Sequence, residues 1–396
     1  MRYSREGPNL NGTIVLLALA AFASAASMRV TDALLPRLAE RFGIGIAAAA
    51  NVVTLFAVAY GVMQLVFGPL GDRHGKLRVI ALACAASTLA SLACAASTTY
   101  PALLVARAAA GACCACIIPL AMAWIGDVTP YDSRQAVLAR FILGQILGLS
   151  AGAFAGGIAA EHTFWQWPFV ALGAWFATVA VLLARDARRQ PSGAQSGSGH
   201  LFADIAAVLR VPWARVVVAT VFLEGVALFG SLAFIATHLH LTRGASLAMA
   251  GATFAAFGAG GAMFATFARP ILRRLGEVHL AAFGTIVIAF SLLGIAWIPV
   301  LAVAPAGCFA AGLGFYMLHN TLQTNATQMA PERRGAAVAL FASLFFLGQS
   351  VGVAVAGWLV VRFGTAATIT ASALAVLPVG LAFASLRRAM INQQAP

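Results

Sequence analysis

Three charged side chains stand in stretches that are otherwise apolar. Glu224 lies in Val221-Phe-Leu-Glu-Gly-Val-Ala-Leu-Phe229, Arg107 in Leu103-Leu-Val-Ala-Arg-Ala-Ala-Ala-Gly111, and Asp32 near the end of the first apolar run, three residues after Arg29. Ionisable groups within a membrane are costly and point to function by default. A carboxyl group in low dielectric can load and release a proton near neutral pH, which is what a proton-coupled carrier needs. Glu224 is the deeper of the two carboxylates, within about one helical turn of the middle of its run. The plain alternative is a structural hydrogen bond between helices. Residues three apart share a helix face, so Arg29 and Asp32 can pair. Arg107 is too deep to reach water and needs a carboxylate, a substrate anion or backbone carbonyls; a purely structural counter-ion is the alternative to a role in transport.

The elements that must position these residues are membrane helices. The 396-residue chain has a mean hydropathy of +0.91 and is 61% hydrophobic but only 9% charged, against about 25% charged in soluble chains. Runs of the roughly 20 apolar residues that a spanning helix needs cover Gly12–Leu35, Ala47–Leu70, Leu77–Ser97, Pro101–Ile125, Ala136–Ala159 and Gln166–Ala184. They resume at Trp213–His238, Ser246–Ala268, His279–Ile298, Val303–Gln323, Ala336–Val360 and Thr365–Leu386. None shows the period-two alternation of a membrane barrel. The expectation is an all-α membrane protein of twelve transmembrane helices. The run starting at Gly12 continues past the small residues Ala23-Ser24-Ala25, so it reads as a retained first span and not as a cleaved leader.

With the N-terminus inside, nineteen Lys and Arg residues fall on the inner side and four on the outer. That bias places both termini in the cytoplasm and Trp165 and Trp167 at the outer interface. The +13 net charge is strung along loops instead of clustered on a soluble face, so no nucleic-acid partner is expected. The longest connection, Arg185–Pro212, contains Gln190–Gly199, a flexible linker by composition. The domains then read 1–11 (cytoplasmic N-terminus), 12–185 (first six-helix bundle), 186–212 (linker), 213–388 (second bundle) and 389–396 (tail). Pro69-Leu-Gly-Asp-Arg-His-Gly75 matches Pro270-Ile-Leu-Arg-Arg-Leu-Gly276, and Gly144-Gln145-x-x-Gly148 matches Gly348-Gln349-x-x-Gly352, at nearly one offset. Both halves start on the same side, so the repeat is parallel.

Between the second and third runs lies Gly68-Pro-Leu-Gly-Asp72-Arg73-His-Gly75-Lys76-Leu-Arg78, a short polar turn that forces two helices antiparallel. Its order resembles the signature loop of the major facilitator superfamily, and the twelve runs and central linker extend the resemblance over nearly the whole chain. Arg107-x-x-x-Gly111 resembles the family's span-4 pattern, whose Arg is linked to proton transfer. Gly144, Gly148, Gly152, Gly156 and Gly157 make a helix face that lets another helix approach closely. They resemble the antiporter signature of span 5, although Ala153 stands where that signature has Pro. Asp32, followed by Leu34-Leu35-Pro36, resembles the acidic span-1 residue of drug:proton antiporters. The drug:proton antiporter or sugar-efflux branch is the one most closely resembled.

The resemblance implies two pseudo-symmetric bundles rocking around a midplane site. It also implies that Asp72 reaches the start of span 11 near Gly335 and holds the cytoplasmic side closed. By position, Asp72 precedes the start of span 3, where a carboxylate can cap free N–H groups, and Arg73 or Arg78 is placed to pair with Asp127 at the end of span 4. In span 10, Tyr316, Asn320 and Gln323 or Thr324 recur at helical spacing as a polar stripe facing a cavity or a gate, with His319 and Asn325 nearby.

Metal and enzyme chemistry find little support. The cysteines at 84, 94, 113, 114, 116 and 308 lie in apolar runs, and three thiols on one helix turn cannot converge on a metal. His238-x-His240 reads as a solvated loop. Gly148-Leu-Ser-Ala-Gly152 is a formal hydrolase pattern in the wrong setting, since that motif needs a strand-turn-helix. No Walker, His-Glu-x-x-His or haem motif is present. The expectation is a monomeric transporter in a bacterial-type inner membrane, without cofactor or metal and not an enzyme. It would take a small-molecule substrate and protons, most simply by proton-coupled efflux of a drug, sugar or metabolite. Proton-coupled uptake is the alternative, and a membrane sensor or enzyme the more distant one.

Overall fold

The protein is described here as a computed structural model covering residues 10–162, 164–189 and 201–394, and every regular element among these is helical. In hydrocarbon a segment must satisfy its own backbone, and a helix does so. Nine helical stretches among the described residues are long and apolar enough to cross a membrane. The first half runs through α1 (Leu10–Arg29), α2 (Leu35–Phe42), α3 (Ile46–Ala49), α4 (Asn51–His74), α5 (Lys76–Ala96), α6 (Tyr100–Cys114), α7 (Ile117–Val128), α8 (Tyr131–Glu161) and α9 (Trp167–Arg189). The second runs through α10 (Leu201–Arg210), α11 (Pro212–Glu224), a π-helical turn (Gly225–Phe229), α12 (Gly230–Leu232), α13 (Ile235–Arg243), α14 (Leu247–Trp297), α15 (Val303–Gln328), a 3-10 turn (Pro331–Arg333) and α16 (Arg334–Gln394).

Two of these helices reverse internally. α14 breaks at Gly276 (φ 70°) and α16 at Gly364 (φ 83°), the left-handed region where glycine costs least. α15 packs against Gly260 before the first break and against Gly284 after it, so α14 must fold back. The turn expected over Gly68–Arg78 is much tighter than the sequence suggests. α4 continues through Asp72 to His74, and the reversal is made by Gly75 alone (φ 88°), whose N–H bonds the Gly71 carbonyl at 3.0 Å. Nothing in Gly71-Asp-Arg-His stops a helix, so only the residue that tolerates positive φ ends it. Asp72 therefore lies in the last turn of α4 and not ahead of α5, as the capping argument required.

Two breaks lie where a proline's ring meets the carbonyl four residues back. Pro36 acts on Asp32, inside the turn that separates α1 from α2. Pro119 acts on Ala115, at the break between α6 and α7.

The buried apolar side chains form two large clusters, one drawn chiefly from residues 14–187 and the other chiefly from 208–384. The internal repeat appears in the packing. A methyl group on Gly148 would run into the Phe22 carbonyl of α1, and one on Gly152 into that of Ala26; Gly348 and Gly352 of α16 meet the Phe222 and Val226 carbonyls in the same way. In all four cases the facing carbonyl lies 126 positions earlier in the chain.

The halves touch along two seams. Gly157 of α8 faces the Leu247 carbonyl of α14, and Gly251 faces that of Ala153, each at 2.5 Å from an added methyl group; the Glu161 carboxylate accepts the Ala248 N–H at 3.3 Å. On the other seam Gly61 of α4 faces Ser343 and Phe346 of α16 at 3.0 and 3.1 Å. Gly68 points the same way two turns further on, yet nothing among the described residues comes within 4 Å of it. α4 and α16 therefore part toward the arginine-rich end, the end that carries Arg73, Lys76 and Arg78.

Candidate functional site

α1 ends at Arg29, and residues 30–34 form tight turns in which Asp32 N–H bonds the Arg29 carbonyl (3.2 Å) and Leu34 N–H that of Thr31 (3.0 Å). This break turns Arg29 and Asp32 toward each other. Arg29 Nη1 lies 3.1 Å from Asp32 Oδ2, and both residues are 4% exposed. Asp32 Oδ1 and Arg29 Nε have no partner. The guanidinium sits over two rings of the other half, Phe229 at 4.6 Å and Phe254 at 5.6 Å, so it joins the halves by cation–π attraction. Arg107 is fully buried. It donates to the Ser27 carbonyl (3.0 Å), the Val52 carbonyl (3.2 Å) and Thr31 Oγ1 (3.4 Å), and stacks over Phe56 at 4.3 Å. Carbonyls and a hydroxyl, not a carboxylate, thus satisfy it, and they tie the end of α1 (Ser27) and the turn after it (Thr31) to α4 (Val52).

Glu224 closes α11 just before the π-helical turn, a rare geometry that recurs at functional sites. It is fully buried. His319 Nδ1 of α15 lies 2.8 Å from its Oε2, while Oε1 has no partner. The imidazole packs on Phe345 (4.5 Å), Phe315 (4.9 Å) and Phe341 (5.4 Å). Phe345 and Phe315 pack in turn on Phe229, at 5.2 and 5.4 Å. A continuous aromatic cluster therefore connects Glu224–His319 to Arg29–Asp32 across the two halves. Tyr60 of α4 joins it through Phe346 at 4.1 Å.

The other sequence candidates divide. Of the span-10 stripe, Tyr316 packs on Phe315 at 5.1 Å and against Gly261, Asn320 is half-buried, and Gln323 is exposed. The neighbour that meets Glu224 is His319. It stood beside the stripe, but its partner is fixed by helix packing, which no local spacing reveals; the aromatic residues were equally unmarked in apolar runs. Gly144, Gly148, Gly152 and Gly156 line the α1–α8 seam, whereas Gly157 faces the other half. Asp127 pairs with Lys76 at 2.7 Å and not with Arg73 or Arg78, which are exposed; starting α5 at Lys76 brings its amine, and not a guanidinium, onto the end of α7. The side chain of Asp72 and the linker Gln190–Gly199 lie outside the described residues.

Two readings need correction. His238 is buried, not solvated, because α13 resumes at Ile235 and packs it against Thr365 (2.8 Å) and the Ile295 carbonyl (3.2 Å). Trp165 is buried on Phe42 and Phe169 instead of sitting in an interfacial belt, while Trp167 is exposed. A polar cluster that sequence reading missed joins Glu277, Arg387 and Asn325, with Arg387 Nη2 3.1 Å from Glu277 Oε2 and Asn325 also donating to Glu277. Among the described residues no three His, Cys, Asp or Glu side chains are grouped to hold a metal ion.

A helical fold with two repeated halves, a buried Arg29–Asp32 pair where they meet and a buried Glu224–His319 contact beside it fit a membrane transporter. The sequence profile of the Major Facilitator Superfamily matches residues 17–353, and the chain belongs to that family. An uncharacterized MFS-type transporter, YwfA of Bacillus subtilis (strain 168), is 25% identical over 380 residues, covering 92% of this chain and 90% of the relative. A second from the same organism, YceJ, is 22% identical over 334 residues, covering 82% and 83%. The fold matches a bacterial homolog of the human lysosomal transporter Spinster, in an inward-facing and unoccupied conformation, with a TM-score of 0.74 at 16% identity, covering 96% of each chain. It also matches the human organic anion transporter MFSD10 (TETRAN), with a TM-score of 0.72 at 17% identity, covering 94% of this chain and 99% of that one.

Proposed function

We propose that this transporter exports a small organic molecule, a drug, sugar or metabolite, by alternating access coupled to protons. Its bundles are residues 12–185 and 213–388, joined by the 186–212 linker, with twelve crossings once α14 and α16 are each taken as two spans and α15 is added to the nine long apolar stretches. The observation that supports coupling most directly is the buried Glu224–His319 contact of 2.8 Å beside an unpaired carboxyl oxygen. As a carboxylate, Glu224 accepts from the imidazole Nδ1–H; as an acid, it donates to a bare Nδ1. The pair can therefore hold a proton on either partner, and the rings that pack on His319 reach Arg29 through Phe229. The substrate is placed within that cluster, between the halves. Rings favour an apolar or aromatic body, and the unpaired atoms of Asp32, Arg29 and Glu224 can hydrogen-bond its polar groups. Asp72 and the residues around Gly75 are assigned to conformational change, not to binding.

The test is uptake of labelled compounds into inside-out vesicles. Export coupled to protons gives accumulation that collapses when the proton gradient is dissipated. Accumulation only in right-side-out vesicles would replace export with uptake, and transport indifferent to the gradient would remove proton coupling. The nineteen-to-four charge bias supports a reading in which both termini face the cytoplasm, with a bacterial-type inner membrane as the proposed location. A cysteine at Ser196 should then resist an impermeant thiol reagent added to intact cells; ready labelling would reverse the orientation.

A further inference from the structure

On the outer flank of the first half, away from the aromatic cluster, α1, α8 and α9 enclose a groove of about 440 Å³. Its floor is one face of α1, with Ile14, Ala18 and Phe22 at every fourth position. The groove exists because α1 and α8 diverge. A methyl group on Gly156 would run into the Val30 carbonyl, but one on Gly144 would stop 2.9 Å from that of Ala18. Trp175 of α9 closes the deep end, its indole N–H donating to the Leu19 carbonyl at 3.1 Å and its ring stacked on Phe22 at 5.0 Å. The rim is apolar and open, with Val15 57% and Leu147 53% exposed. At the mouth stand Asn11 and Arg140, both exposed.

Arg140 lies about one helical turn inside the apolar run that begins at Ala136 and is exposed at the groove mouth, so its long side chain can carry the guanidinium to the polar boundary of the bilayer. It forms no hydrogen bond or ion pair among the described residues, and the Asp186 carboxylate at the end of α9 is taken by Thr13 Oγ1 at 2.8 Å. From Asn11 to Phe22 the floor runs about 16 Å at 1.5 Å per residue, close to half of the roughly 30 Å hydrocarbon core. That is the length of one leaflet's acyl chain.

We propose that this groove binds an anionic glycerophospholipid, with its phosphate on Arg140 and Asn11 and one acyl chain lying along α1 to Trp175. A zwitterionic lipid would fill the apolar walls equally well and bring the same phosphate, but its own ammonium group offsets the charge that Arg140 attracts. Charge complementarity at the mouth therefore selects the anionic headgroup.

The experiment uses the full chain in phosphatidylcholine nanodiscs containing increasing fractions of acyl-brominated phosphatidylglycerol or acyl-brominated phosphatidylcholine. The Trp175 signal is the fluorescence difference between wild type and Trp175→Phe. Brominated phosphatidylglycerol should reach half-maximal quenching at an about fivefold lower mole fraction, the factor expected from one basic residue near an anionic headgroup. Arg140→Gln should abolish the preference, Arg140→Lys should keep it, and Val15→Phe, which fills the groove, should weaken quenching by both lipids. Arg78→Gln, an exposed cation at the same end but outside the groove, should leave the preference intact. Equal quenching in wild type, a preference that survives Arg140→Gln, or one lost equally in Arg78→Gln overturns the proposal.

Discussion

Glu224→Gln is the substitution that separates proton handling from structure at the residue scale. The amide keeps an oxygen that can accept from His319 Nδ1, 2.8 Å away in the native pair, and adds N–H donors in place of a titratable oxygen. Folding should therefore survive, with a stability change within about 1 kcal/mol. Gradient-driven accumulation should fall at least about tenfold, a loss of about 1.4 kcal/mol or more in the driven step, and its pH dependence should flatten while substrate binding persists. Proteoliposome transport across a range of pH decides it; an unchanged pH profile would move the role to Asp32. The candidate charges were legible because each interrupts an apolar run; the Arg29–Asp32 pair was legible from its spacing of three, although the turns after Arg29, and not a continuous helix face, bring the two together. The partners of Glu224 and Asp127 were not, since His319 and Lys76 reach them from other helices. Which of several similar side chains arrives depends on helix phase and length, such as α5 beginning at Lys76 and not a residue or two later.

At the scale of elements, the glycine seams are the strictest requirement. Gly148 lets α8 lie directly on the α1 backbone, and any side chain there must push the helices apart. Gly148→Val should cost about 3 kcal/mol, the upper part of the range for overpacking, and should lower the melting temperature measured by scanning fluorimetry in detergent. Gly126 of α7 has open space around it, so Gly126→Ala should be neutral or stabilise by up to about 1 kcal/mol through helix propensity. Equal melting of the two variants would show that the seam is not close-packed in the membrane. The spans themselves could be read from hydropathy because their length is set by the bilayer. The breaks after α1 and α6 are traceable to Pro36 and Pro119 once the clash four residues back is considered. The π-helical turn after Glu224 left no such mark, because Gly225–Phe229 contains nothing that forbids an ordinary helix and the extra residue is accommodated by packing against α16.

At the scale of the whole molecule, the two inter-half seams are in different states along their length, and this separates the roles of two glycines on one helix face. Gly61 touches α16 through Ser343 and Phe346, whereas Gly68 meets nothing within 4 Å among the described residues. In this conformation a glycine at 68 serves no packing need, and helix propensity alone would favour replacing it. The alternate conformation supplies the need. If the halves rock about the aromatic cluster, closing the arginine-rich end brings that face of α4 onto α16, and Gly68 then stands where Gly61 stands now. Gly68→Leu should accordingly fold as well as wild type and bind substrate from the open end, yet fail to close. Transport should fall by at least about tenfold, which asks only that the closed state be destabilised by about 1.4 kcal/mol relative to the open one, less than typical overpacking costs. Gly61→Leu should do the reverse, prising apart the end that is now shut. Spin-label distances between the arginine-rich ends of α4 and α16 report the outcome directly. The Gly68 variant should show only the long distance, and the Gly61 variant should gain the short one. A Gly68→Leu protein that still samples both distances and transports at the wild-type rate would mean that α4 and α16 do not meet there during the cycle.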